Sequence, residues 1–206
     1  MKRAVAIAAV AVLAACGTSG QTAPVQNFSD QWPSRARPYD EVLQDWTRAG
    51  KIVHDFDRVL DVKATFMSPD WRAAYVRKRA EAELMGDVER ARLTDEQKAA
   101  DDAHYEVALF VATYRHEENE LQKGEKSMWR IVLADDQGNE IRPVEIKRDR
   151  RPPEVIRAYF PDTTPRHIAY VARFPRSAEL LGAGAGKFSL KMASARGGVE
   201  LVWTAK

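Results

Sequence analysis

From Val59 the chain alternates, with Leu60, Val62, Ala64 and Phe66 on one side and Asp61, Lys63 and Thr65 on the other, the period-two signature of a half-buried strand. The period changes at Ser68-Pro69. A capping serine followed by proline at the first helical position predicts a helix that runs to Gly86, a glycine suited to ending it. Trp71, Ala74, Tyr75, Lys78, Ala82 and Met85 share one face of that helix, and Arg72, Arg77, Arg79, Glu81 and Glu83 turn mostly outward. Thr94, spaced from Gln97 as in a capping box, predicts a second helix ending near Ala103. The two form a helical hairpin inserted after the first strand, over about residues 69–103.

Alternation then returns, in Tyr105 to Val111, Trp129 to Leu133, Val144 to Ile146, Ile156 to Phe160, Ile168 to Phe174, Phe188 to Met192 and Val199 to Trp203. With the first, that makes eight short strands, separated by turn signals such as Asp135-Asp136-Gln137-Gly138-Asn139. The pattern predicts a mainly β fold, an immunoglobulin-like antiparallel β-sandwich, over residues 35–206 as one domain. A small antiparallel barrel is the alternative.

Before this body, residues 16–34 hold Gly, Thr, Ser, Gln, Asn and Pro with only Val25, Phe28 and Trp32 as large apolar residues, and read as a tether. A flexible chain of that length has a root-mean-square reach of about 25 Å. Earlier still, Lys2 and Arg3 precede an apolar run of twelve residues, Ala4 to Ala15. A membrane span needs about 20 apolar residues, so this run is read as an export signal over residues 1–15.

The run closes in Leu13-Ala14-Ala15-Cys16, which resembles the lipobox of bacterial lipoproteins, and Cys16 is the chain's one cysteine. The resemblance implies that the Cys16 sulfur receives a diacylglycerol, that the bond after Ala15 is cut, and that the new amino group is acylated. Gly17 in place of an inner-membrane-retaining aspartate implies the outer membrane, with the body facing the periplasm. An exported chain with a single thiol has no internal disulfide to make, and lipidation removes the leftover reactive group. Two or three acyl chains anchor far more firmly than one, at ~0.8 kcal/mol per buried methylene. Two further stretches, Trp46-Thr47-Arg48 and Ala64-Thr65-Phe66-Met67-Ser68-Pro69 leading through Trp71 to Ala74-Tyr75-Val76, resemble a group of uncharacterised envelope lipoproteins. That resemblance implies no activity.

Charge narrows the partners. The chain carries 32 Lys and Arg against 30 Asp and Glu, and Lys2 and Arg3 account for the whole excess, so the exported part is neutral. A neutral chain that is 45% apolar is neither a disordered tail nor a nucleic-acid binder.

Candidate chemistry is sparse. Gly182 to Lys187 fails the Walker spacing, and Phe188 stands where a Mg²⁺-holding hydroxyl is needed, so a flexible turn is expected. His116-Glu117-Glu118-Asn119-Glu120 has Glu120 where a zinc helix needs its second histidine, and His54, His104 and His167 are dispersed. Asp135 to Glu140 is too short for a calcium loop and suits a hairpin turn. No nucleophile elbow is present, and no cofactor or metal is implied. Two candidate binding groups remain. Arg148, Arg150 and Arg151, in the densest basic run, are suited to lipid phosphates or an acidic partner, or to a solvated strand edge. Trp71 and Tyr75, with Met85, would line a cleft between sandwich and hairpin or fill the core. The expected function is a membrane-anchored, non-enzymatic interaction or assembly module with an envelope protein partner; a small-ligand or lipid carrier and an envelope hydrolase are the alternatives.

Overall fold

Alternation in the sequence becomes two faces of burial. The computed structural model describes residues 18–19, 23–54 and 57–206, with residues 18, 19 and 54 as backbone only. Cys16 and the expected export signal lie outside the described residues. Elements follow in the order β1 (Thr18–Ser19), α1 (Tyr39–Trp46), β2 (Thr47–His54), β3 (Asp57–Phe66), α2 (Pro69–Ala82), α3 (Asp87–Ala103), β4 (His104–Thr113), β5 (Arg130–Ala134), β6 (Glu140–Ile141), β7 (Glu145–Arg148), α4 (Pro153–Tyr159), β8 (Ile168–Pro175), β9 (Lys187–Ser194) and β10 (Gly197–Thr204). They build a mixed α/β, β-rich, sandwich-like body of two antiparallel sheets, one ordered β1-β2-β3-β4-β8-β7 and the other β10-β9-β5-β6. No helix among the described residues is long and apolar enough to cross a membrane.

Between the sheets, Phe66 of β3 meets Phe188 of β9 at 4.6 Å between ring centroids, and Phe188 stacks on Trp203 of β10 at 5.0 Å. The opposite face of the larger sheet is also covered. Phe110 of β4 points away from Leu109 and packs on Phe160 at the end of α4, which stacks on Trp71 of α2. This explains why β4 is buried almost throughout, where the sequence predicts one buried face.

Several expectations are corrected. A helix and two strands, β1, α1 and β2, precede the strand read as first. Gly86 does not end α2, which stops at Ala82; it heads α3, its amide donating to the Glu89 carboxylate at 3.2 Å. The second helix therefore starts at Asp87, and Thr94 lies inside it, donating to the Arg90 carbonyl four residues back. Ile156 to Phe160 is a helix where a strand was expected. Pro153 opens it, and Ile156, Tyr159 and Phe160 lie on one buried face at helical spacing. Val144 precedes its strand and is 61% exposed.

The segment expected as a tether is seated on the body from Val25. The Val25 amide donates to the Thr204 carbonyl at 2.9 Å, and Phe28 packs between Trp46 and Phe188. Trp32 lies under Lys98 of α3. Two apolar anchors decide this, although the polar average of the segment hides them. Gly50 of β2 lets the sheets touch: a Cβ there would stand 2.5 Å from Val199 Cγ2 and 2.8 Å from Leu201 Cδ2.

Candidate functional site

The basic run forms β7 and the turn after it. β7 is the edge of the larger sheet and pairs only with β8, Glu145 opposite Arg173 and Arg148 opposite Tyr170. The three candidate arginines differ in commitment. Arg151 grips Asp149 through Nε and Nη2, the latter at 2.6 Å, while its amide also donates to that carboxylate. Burial pushes the Asp149 carboxyl up, yet the Arg151 bonds and charge outweigh it and hold it below its ordinary value. Arg148 donates to the Asn119 carbonyl at 3.3 Å and leans over the Tyr170 ring. Arg150 is exposed, and among the described residues neither it nor Arg148 is within ion-pair reach of a carboxylate. Arg151 is thus scaffold, and Arg148 and Arg150 carry the uncommitted charge.

Beside this edge lies a chain of alternating charges. Arg72 of α2, 1% exposed, donates to Glu106 Oε2 at 2.9 Å and lies 3.5 Å from Asp101. Glu106 of β4 accepts from Arg173 of β8 at 2.7 Å, Arg173 reaches Glu145 of β7 at 3.0 Å, and Glu145 pairs with Lys147. The strand register dictates the row, because Arg173 stands opposite both Glu106 and Glu145. Burial alone would push the Glu106 carboxyl up; Arg72 and then Arg173 reverse that and lower it. Burial keeps the Asp101 carboxyl raised despite Arg72 and Arg176.

Trp71 and Tyr75 meet this row from α2, so the two binding groups read from the sequence converge. A cavity of about 330 Å³ is bounded by both rings, by Arg72 and Glu106, and by Arg148 and Arg150. The rings are its wall rather than an open apolar slot. They stack at 5.2 Å and 11°, and Phe160 and Tyr159 back them. Met85 is not among the lining residues. A second cavity, of about 390 Å³, also bordered by Arg148, Arg150 and Arg151, extends to Arg157, Thr164 and His167. Arg148, Asp149, Arg150 and Arg151 border both, and of these Arg148 and Arg150 carry the uncommitted charge.

Thr164, His167 and Asp61 line up in the order of a hydroxyl, a base and a carboxylate. The bonding is local. Nδ1 of His167 already accepts the Thr164 backbone amide at 3.0 Å, Thr164 Oγ1 lies 2.9 Å from the same nitrogen, and Asp61 is 3.8 Å from Nε2 and paired with Arg58. Burial pushes the His167 imidazole below its ordinary value. An imidazole whose one lone pair holds a turn has none left for a substrate proton. Among the described residues no group of three or more His, Cys, Asp or Glu is placed to hold a metal. Asp135 caps its own hairpin turn, accepting the Asn139 amide at 2.8 Å. The glycine-rich loop is no free turn: Leu180 and Leu181 are buried in the core, and the Gly182 amide donates to the Phe28 carbonyl.

The charge row went unread in the sequence. Its one legible signal is Glu106, between Tyr105 and Val107 in a run with few other polar residues. No family model matches the chain, and no curated protein or solved structure does either.

Proposed function

We propose that this chain is a lipid-anchored protein of the cell envelope, held through Cys16 at the outer membrane and facing the periplasm, and that it works as a non-enzymatic interaction module. The groove beside α2 and β7 is its contact surface, and an acidic segment of an envelope protein is its partner. The observation that carries this reading is the convergence of Arg148 and Arg150 with the Trp71 and Tyr75 wall around one cavity. Two guanidiniums without carboxylate partners among the described residues, on the rim of a groove whose other charges are each paired, suit bidentate contact with carboxylates. Tethering raises local concentration, so modest affinity suffices.

The carrier reading fits less well, because the rings meant to hold an apolar ligand are stacked on one another and the groove beside them is lined with ion pairs. The hydrolase reading fits less well, because His167, the histidine set between a hydroxyl and a carboxylate, spends Nδ1 on the Thr164 amide.

We read the body as an immunoglobulin-like Greek key. Lettered from β3, the sheet orders β3-β4-β8-β7 and β10-β9-β5-β6 read A-B-E-D and G-F-C-C′, which supports that reading. On this lettering, α2 and α3 are an insertion between strands A and B.

Photo-crosslinking in envelope membranes, from a probe at Lys147, tests the contact surface. The wild type is expected to capture an acidic protein, and Arg148→Glu with Arg150→Glu is expected to abolish capture while the melting temperature stays put. The same crosslinks from both proteins would overturn it.

A further inference from the structure

Register places the start of the described chain toward one end of the larger sheet. β1 pairs antiparallel with β2, Thr18 opposite Lys51 and Ser19 opposite Gly50. Cys16 precedes Thr18 by two residues, a span of at most ~7 Å in any conformation. An acyl chain on its sulfur therefore leaves the protein close to Lys51. We infer that the end of the larger sheet beyond Lys51 is a bilayer-contacting face, seated on anionic phospholipid; the inference rests on the Cys16 anchor proposed above.

Following the ladder across the sheet identifies that face. Val53 pairs with Arg58, Leu60 pairs with Thr113, and Val111 pairs with Ile168, so Val53, Arg58, Tyr114, Arg115 and Arg166 lie near one level at one end. Val53 and Tyr114 are 61% and 56% exposed, two of the few large apolar side chains left in solvent. Arg58, Arg115, Arg166 and Lys51 are exposed around them. Asp57 and Glu117 oppose these cations, and Asp61 is already held by Arg58 at 3.0 Å. An exposed tyrosine and valine ringed by arginines match the interfacial layer, where an aromatic ring sits at headgroup depth and guanidiniums grip phosphates.

The same register keeps the groove clear of lipid. Arg148 is level with Tyr170, Leu109, Ala64 and finally Arg48, five residues short of Val53, or about 16 Å back along the strands. The ladder continues past β7, the Asp149 amide donating to the Ala169 carbonyl, so Arg150 is nearer the anchor end, about 10 Å short of Val53. The anchor end thus meets the bilayer while Arg148 stays open to the periplasm and Arg150 stands between the two.

Depth-dependent quenching tests this. Mature lipidated protein in phosphatidylethanolamine and phosphatidylglycerol vesicles is labelled at Val53→Cys, Tyr114→Cys or, at the far end beyond Pro175, Ser177→Cys. Lipid-borne quenchers are expected to dim the first two labels and leave the third bright. Equal quenching at all three, or strongest quenching at residue 177, overturns the inference. Uptake of thiol reagent by the unsubstituted mature protein would mean that Cys16 is free, which is a failure of the anchor and not of the face. The face is then read from the Cys16→Ser chain by flotation with the same vesicles at low salt. Arg58→Glu, Arg115→Glu and Arg166→Glu together are expected to cut flotation tenfold or more, and an unchanged fraction overturns it.

Discussion

Arg48 Nε donates to the carbonyl of Val202 at 2.7 Å, joining the second strand of one sheet to the last strand of the other. The same guanidinium donates to the carbonyls of Asp45, Thr47 and Ala23, so one side chain clamps both sheets and the docked N-terminal segment. It is 3% exposed, and burial lowers it to about 10. Backbone dipoles, not a carboxylate, satisfy its donors. Replacing Arg48 with methionine leaves several partly buried carbonyls without their donor and is expected to cost about 2 kcal/mol, read by chemical denaturation. Faster amide exchange at Val25 should accompany it.

Close approach at Gly50 predicts an overpacking penalty. Gly50→Ala drives a methyl into Val199 and Leu201 and should destabilise by about 1–3 kcal/mol. Val199→Ala, destabilising alone, should recover much of that loss in the double variant. A double-mutant cycle measures the coupling, and simple additivity would count against the packing described.

Glu106 predicts a pH dependence of definite sign. Its folded-state pKa lies below the unfolded value, so its contribution is present above the unfolded carboxylate pKa and is lost as pH falls through the folded one. Glu106→Gln leaves Arg72 and Arg173 without their shared partner and should cost about 3 kcal/mol at pH 7. The gap between wild type and variant should narrow as the solution is acidified below the ordinary glutamate value of 4.5. Asp101, raised by burial, works in the opposite sense: its contribution is present at low pH and is lost as pH rises through its folded value, so the Glu106 effect is read from the difference between the two proteins.

Trp71 separates wall from ligand pocket. As a ring stacked between Tyr75 and Phe160, it should cost about 3–5 kcal/mol when replaced by alanine. A stable Trp71→Ala protein that merely lost a small ligand would favour the carrier reading instead.

Legibility in the sequence followed chemical simplicity. β3 and the start of α2 are visible because strict alternation and Ser68-Pro69 have few other solutions; the Ser68 hydroxyl does accept the Trp71 amide. β2 stays hidden because Arg48 and Gly50 occupy its buried positions, and both face β10, about 150 residues away in the chain. Ile156, Ala158 and Phe160 fit either period over so short a run, and Pro152-Pro153 was the decisive signal for a helix. The arginines of the groove were legible as a charge run. Which of them is spent on Asp149 was not, because pairing two residues along the chain depends on how the turn folds.

The anchor proposed at Cys16 is tested most directly by the intact mass of the N-terminal peptide from membrane-purified protein. The account predicts a peptide beginning at Cys16 that carries a diacylglyceryl thioether and an acylated amino group. A peptide holding Cys16 as an unmodified thiol would contradict it.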